Sequence, residues 1–183
     1  MSPIISEDRE AKFNKFAFHY RLYPFVAFLI LGFIIINIFT QLSSYSVYAS
    51  SEYSLPYPGI LPDHPLYPLK MLRDRVKLLL AFSAEEKSQL LLLYADKRIG
   101  AARELVEGNK IDLGVSTALK AEQYLKQTLD EAKIVEDGVL RETLVRAANK
   151  HEEVLEGIEE SLEDKGKIQE AVDLNSVVRN ELE

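Results

Sequence analysis

The sequence predicts an all-α protein, in which an N-terminal transmembrane or signal helix precedes an antiparallel bundle of four to five helices. Three observations indicate this architecture. An uncharged apolar run fills residues 25–42. Apolar residues recur at helical spacing after residue 68, and no strand-like alternation follows residue 60. We divide the chain into a cytoplasmic tail (1–22), a transmembrane or signal helix (23–42), a Ser/Tyr-rich and then Pro-rich linker (43–67) and an extracytoplasmic helical domain (68–183).

The apolar run is long enough to cross a bilayer. As a helix, residues 25–42 span about 27 Å, against about 30 Å for a hydrocarbon core. Basic residues precede the run, and no Lys or Arg lies between Arg21 and Lys70. The positive-inside rule therefore predicts a cytoplasmic N-terminus and an exported domain, with the lipid bilayer as the first partner.

Two outcomes remain open for this segment. It is either retained as a single-pass anchor or cleaved as a signal peptide following Ala49. Val47 and Ala49 are residues of the size that a signal peptidase reads, and cleavage there would leave a secreted or periplasmic protein.

Composition narrows the functional classes. The 183 residues carry a net charge of -7 and include no cysteine. Disulfides, thiolate metal sites and cysteine nucleophiles are therefore excluded. Residues 130–183 hold 16 acidic and 7 basic residues, whereas a nucleic-acid-binding domain presents a basic face. We expect no nucleic-acid partner.

The linker is dominated by proline. Five prolines lie between residues 56 and 68, and they exclude a helix interior and favour an extended path. Apolar residues among and just after them predict that this segment packs onto the helical domain: Ile60, Leu61, Leu66, Tyr67 and Leu69.

Residues 61–70, Leu-Pro-Asp-His-Pro-Leu-Tyr-Pro-Leu-Lys, carry a family resemblance. They resemble the LPxxPLYxLK opening of an uncharacterised bacterial family with a domain of unknown function, often found behind a signal or membrane segment. The residues at 72–76, 83–87, 94–98 and 101–105 are also similar, so the resemblance covers about residues 58–129. It implies an exported helical domain, and it supplies no activity and no catalytic residue.

Five helices are predicted after the linker, over residues 68–82, 83–107, 113–135, 139–162 and 167–180. Ser83 and Glu86 fit a capping box at the start of the second helix, Gly108-Asn109 fits its end, and Asp112 is a candidate cap for the third. Short connections favour an up-and-down bundle over a solenoid. The predicted apolar faces, in helix order, are Leu69, Leu72, Val76, Leu79 and Leu80; Leu91, Ala95, Ile99, Ala102 and Leu105 or Val106; Val115, Ala118, Leu119, Leu125, Leu129 and Ala132; Leu140, Leu144, Ala147, Ala148, His151, Leu155, Ile158 and Leu162; and Ile168, Ala171, Val172 and Val178.

The three histidines form no recognisable catalytic or metal-binding pattern. His151 would need a second His at 155 for a zinc-protease helix, or a Glu at 148 for a di-iron bundle, and these positions are Leu and Ala. His151 lies on the apolar face, so we predict a core histidine. His19 and His64 are remote in sequence.

The acidic residues of the fourth helix region are Glu152, Glu153, Glu156, Glu159, Glu160, Glu163 and Asp164. They follow a helix surface, which favours a solvated face, and weak divalent-cation binding is the residual alternative. We therefore assign no catalytic, cofactor-binding or metal-ligating residue and no cofactor, and we expect that the protein is not an enzyme.

These observations favour a membrane-anchored or exported helical protein of unknown biochemical activity. We expect a protein-interaction or structural module at the cell envelope, with a protein partner there. The alternative is an extracytoplasmic helical chaperone or a metal-responsive stress protein. The oligomeric state remains open.

Overall fold

The computed structural model describes residues 53–135 and 137–183. The predicted transmembrane or signal helix (23–42) and the cleavage site following Ala49 lie outside these residues. Within the two described ranges, no helix combines the length and the apolar character needed to span a membrane.

Five α-helices follow one another along the described chain. They are α1 (Tyr67–Leu80), α2 (Ala84–Glu107), α3 (Ile111–Val135), α4 (Gly138–Ser161) and α5 (Gln169–Leu182), and a 3-10 helix (Lys165–Ile168) leads into α5. Residues 53–135 and 137–183 contain no strand. For this part of the chain, the all-α prediction is confirmed.

The ends of α2 follow the predicted signals. The Ser83 hydroxyl accepts a hydrogen bond from the Glu86 backbone N–H at 3.1 Å, which satisfies one free donor of the first turn. At the other end, Lys110 N–H donates to the Leu105 carbonyl at 2.8 Å, and Asn109 N–H donates to the Val106 carbonyl at 2.9 Å. This is a Schellman motif. Its left-handed residue is Asn109, with φ 60°.

The predicted cap of α3 is wrong. The helix begins at Ile111, so Asp112 lies inside its first turn rather than before it. The cause is the preceding turn. Because the Lys110 carbonyl accepts the Gly114 N–H at 2.8 Å, helical hydrogen bonding resumes directly after the Schellman motif. An acidic residue in the first turn still interacts favourably with the helix dipole.

Helices α2 to α5 form an up-and-down bundle. Lys87, near the start of α2, pairs with Glu131 near the end of α3, so these helices are antiparallel. Arg141 at the start of α4 donates to the carbonyl of Leu182 at the end of α5, at 2.5 Å, so these two are antiparallel as well. Connections of two to seven residues between the helices suit this topology.

The core of the bundle lies along the predicted apolar faces of α2, α3 and α4. The faces predicted for α2 and α4 are buried along their whole length. On α3 the predicted residues Val115, Leu119 and Ala132 are partly buried, and the others are buried. The largest fully buried apolar side chains are Ile99, Leu105, Leu125, Leu144, Leu155, Ile158 and Ile168.

Helix α1 forms as predicted, but its apolar side faces solvent. Leu69, Leu72 and Leu79 are 65%, 59% and 79% exposed, whereas Asp74 and Lys77 are buried against the domain. The side that faces the domain has polar partners there. Lys70, for example, donates to the carbonyls of Pro58 and Ile60 at 2.8 and 2.9 Å.

The Pro-rich segment lies along the bundle, so its predicted packing is confirmed. The residues responsible differ from those predicted. Pro58 is buried, Leu55 packs against the core, and Asp63 pairs with Lys110. Leu66, which was predicted to pack, is 54% exposed. We call residues 53–66 the strap.

Candidate functional site

A chain of buried polar side chains crosses the bundle. His151 of α4, Glu122 of α3 and Asn175 of α5 are buried, as is Asp96 of α2. Tyr53 of the strap reaches the same cluster. Isolated charges in a core are costly, so each of these groups needs a partner.

Hydrogen bonds join all five residues. His151 Nδ1 lies 2.8 Å from Glu122 Oε1, and its Nε2 lies 3.0 Å from Asp96 Oδ1. Asn175 donates to Glu122 Oε2 at 2.9 Å and to the Ala148 carbonyl at 3.2 Å. The Tyr53 hydroxyl donates to Asp96 Oδ2 at 2.6 Å. One carboxylate therefore faces each ring nitrogen of His151.

This arrangement favours the imidazolium form of His151. Burial by itself lowers the pKa of His151, but the carboxylates of Glu122 and Asp96 raise it to about 9. Burial and the Asp96 carboxylate raise the pKa of Tyr53 far above its usual range, while Arg146 acts in the opposite direction. Both side chains are therefore protonated at neutral pH. His151 donates to the carboxylates of Glu122 and Asp96, and Tyr53 donates to Asp96.

The polar chain links α2, α3, α4, α5 and the strap. Its central side chains have no access to solvent, and both nitrogens of His151 are already hydrogen-bonded. No group of three or more His, Asp and Glu side chains in residues 53–135 and 137–183 is arranged to hold a metal ion. The prediction of a core histidine is confirmed.

Sequence reasoning missed the partners of His151. Each occupies a core position on its own helix: Asp96 lies three residues before Ile99, Glu122 three before Leu125 and Asn175 three before Val178. A polar residue on an otherwise apolar helical face was the available signal. The sequence could not say which of these residues would meet.

The acidic residues of α4 do not converge on a site. Glu152 pairs with Arg179, and Glu153 accepts from Lys150 at 2.7 Å. Glu156 and Glu160 are exposed, as a solvated face predicts. His64 is also exposed, and its Nδ1 accepts the Leu66 N–H at 3.1 Å, which stabilises the turn before α1.

The exposed side of α1 is the more promising functional surface. Leu69, Leu72, Val76 and Leu79 follow the alternating three- and four-residue spacing of a coiled-coil seam. Arg73 lies beside one edge of this seam and Arg75 beside the other. We call these four apolar residues the leucine face.

Comparison with known proteins places the domain in a family. No curated protein and no solved structure matches the chain. A family model described as a domain of unknown function, DUF5667, matches residues 59–165, which is more than half of the chain. The match includes the leucine face, Asp96, Glu122 and His151, and it ends before α5. The chain belongs to this family of domains of unknown function.

Proposed function

We propose that the protein is a helical interaction module held at the cell envelope, and that the leucine face of α1 binds a helix of a partner protein. The observation that carries this proposal is the exposure of Leu69, Leu72 and Leu79 on a helix whose Asp74 and Lys77 are buried. Burying one leucine side chain stabilises a complex by about 1.5–3 kcal/mol. Contiguous exposed apolar surface of this kind marks interaction sites.

The spacing and charge of α1 define the partner. A seam with a period of 3.5 residues packs against another helix through knobs-into-holes contacts. Arg73 and Arg75, at the edges of the seam, are exposed and would meet the flanking residues of that helix. A second copy of α1 would place arginine against arginine, whereas a helix with acidic flanking residues would pair with both. An apolar seam with acidic edges is therefore the proposed partner surface.

The envelope location rests on the sequence before the domain. The uncharged run at residues 25–42 and the lack of basic residues between Arg21 and Lys70 favour a tether with the domain outside the cytoplasm. Carbonate extraction of membranes, with intact-mass analysis of the product, tests this part. Full-length protein that stays in the membrane pellet supports the tether. A soluble product that begins at Ser50 would show instead that the segment is cleaved and the domain is exported.

Photocrosslinking tests the leucine face directly. A photoreactive amino acid is placed at Leu72 of the full chain in its host, and at Glu153, an exposed position on α4, as a control. We expect one discrete adduct from position 72 and none from position 153. Leu69→Gln or Arg75→Glu in the same chain should abolish that adduct and leave the unfolding midpoint unchanged. The adduct should contain a helix with acidic residues beside an apolar seam.

Three other results would overturn this binding mode. They are an adduct between two copies of the chain, an adduct with lipid alone, and equal labelling from both positions. Many adducts of different mass from position 72 would instead support the chaperone alternative, because a leucine-rich surface can also hold varied apolar clients.

A further inference from the structure

A cavity of about 550 Å³ lies where α1 meets α2 and α3. Its volume is in the range of about 300–1,000 Å³ that is typical of small-molecule sites. Residues at its rim, such as Lys120 and Gln127, are exposed, so solutes can reach it. We call it the basic groove, because Arg75, Arg98 and Lys120 are among the residues that line it.

The groove carries three cations and no carboxylate. Arg75, Arg98 and Lys120 line it, one from each of the three helices, and none of its lining residues that the structure describes is Asp or Glu. Within the two described ranges, none of the three forms an ion pair. Arg98 lies over the Tyr124 ring, 4.1 Å from its centroid. Arg98 also donates a hydrogen bond to the Met71 sulfur at 3.0 Å, which is a weak acceptor.

The surroundings of the groove are also positive. Burial lowers the pKa of Lys70 and of Lys97, and neighbouring cations lower them further. The Arg73 guanidinium lowers the pKa of Lys97, and the Arg98 guanidinium lowers the pKa of Lys70. The Asp74 carboxylate raises the pKa of both lysines. This concentration of cations stands out in a chain with a net charge of -7. An anion bound in the groove would relieve the repulsion between them.

We propose that the basic groove binds a phosphate-bearing organic anion. A phosphate monoester carries a charge of about -1.5 to -2 and has several acceptor oxygens. Two guanidinium groups and an ammonium can supply matching donors, with bidentate contacts from arginine. The rings of Tyr67 and Tyr124 and the side chains of Met71 and Leu72 give the groove an apolar wall for the organic part.

Two sources can supply this chemistry. Leu72 belongs both to the groove and to the leucine face, so a phospholipid headgroup could enter from an adjacent bilayer. A soluble phosphate ester could enter from solvent. Both depend on Arg75, Arg98 and Lys120, and neither requires that the leucine face bind a protein.

Calorimetric titration of the purified full chain tests the site. The soluble probes are pyrophosphate and glycerol 3-phosphate, and the membrane probes are vesicles of pure phosphatidylcholine and of phosphatidylcholine with phosphatidylglycerol. The test variant is Arg75→Gln with Lys120→Gln, because both side chains are exposed and have no ion pair to lose. The control is Arg103→Gln with Lys165→Gln, which removes the same charge at exposed positions outside the groove.

We expect the wild type and the control to bind a phosphate probe at least tenfold more tightly than the test variant, with all three proteins unfolding at similar temperatures. If only vesicles that contain phosphatidylglycerol bind more weakly to the test variant, the ligand is a lipid headgroup. If the soluble probes bind more weakly to the test variant, the ligand is a soluble phosphate ester. The proposal is overturned if no probe binds, or if the test variant and the control bind equally.

Discussion

The carboxylate of Glu122 lies 2.8 Å from Nδ1 of His151, and both side chains are completely buried. Two charges enclosed in this way lose their hydration, and their attraction must offset that loss. Here Asp96 on the far side of the ring and Asn175 beside Glu122 complete the hydrogen bonding. The four side chains come from four helices, so a shift of any one helix would leave a buried charge without a partner. We infer that this network specifies the register of the bundle.

The protonation of His151 predicts how stability depends on pH. Folding raises the pKa of His151 from 6.5 to about 9, so between these values the folded state holds a proton that the unfolded state releases. The resulting stabilisation is complete below about pH 6.5 and is lost as pH rises through about 9. It amounts to on the order of 3 kcal/mol. The temperature of the thermal unfolding midpoint should therefore decrease as the pH rises from 6.5 to 9.

A variant and a direct measurement separate His151 from other groups. His151→Gln should unfold at a lower temperature and should lose the slope between pH 6.5 and 9. If that variant fails to fold, an NMR titration of the His151 ring in the wild type reports its pKa directly. A slope equal to that of the wild type in the variant, or a ring pKa below 6.5, would contradict the assignment.

The attachment of the strap to the bundle should depend on the Tyr53 hydroxyl. Tyr53→Phe removes the 2.6 Å hydrogen bond to Asp96 while keeping the ring, and a hydrogen bond to a charged group contributes about 1.5–3 kcal/mol. Chemical denaturation should show a loss of this size. Limited proteolysis should also cut the strap faster. Tyr57→Phe is the matched control, because Tyr57 is 79% exposed. Equal effects from both substitutions would refute the role of Tyr53.

How much of this structure the sequence predicts differs from helix to helix. On α2 and α4, apolar residues recur every three or four positions on one face, and burial follows that face. The same rule predicts that α1 is a helix but not which side it buries. Its leucines cover one side, while Lys70, Asp74 and Lys77 on the other find partners or cover on the domain. Local periodicity does not contain that tertiary information.

The candidate surfaces were less predictable than the fold. The basic groove needs Arg75, Arg98 and Lys120 on one cavity, and these residues lie 22 or more positions apart on three helices. The His151 network likewise joins residues 29 or more positions apart. Sequence reasoning identified His151 as a core residue because the spacing of nearby apolar residues defines the buried face of α4. Its partners depend on the packing of four helices.

Two leucines distinguish a central core position from a peripheral one. Leu155 is fully buried, whereas Leu119 is partly buried and packs against the same cluster. Leu155→Ala should cost about 2–5 kcal/mol of unfolding free energy, because the surrounding core cannot collapse into the cavity. Leu119→Ala should cost less, since water can reach part of the vacated space. Urea denaturation of both variants measures the difference. The reverse order would show that the cluster is centred on α3 rather than α4.

The close approach of α2 and α3 depends on Gly114. A Cβ added there would lie 2.5 Å from Val106 Cγ2 and 3.1 Å from the Ala102 carbonyl oxygen. The carbonyl belongs to a rigid helix, so it cannot move aside as a flexible side chain could. Gly114→Ala should therefore force the helices apart, at a cost of about 1–3 kcal/mol. Gly157→Ala is the matched control, since a Cβ at that position in α4 meets nothing within 4 Å.

Helix propensity alone makes alanine more favourable than glycine by about 0.8–1 kcal/mol inside a helix. Gly157→Ala should accordingly raise the unfolding midpoint, while Gly114→Ala lowers it. The opposite signs arise from one chemical change, a single added methyl group, so any difference between the variants reports packing. Differential scanning calorimetry of the two proteins measures both shifts. Stabilisation by Gly114→Ala would mean that α2 and α3 are not in contact at this turn in solution.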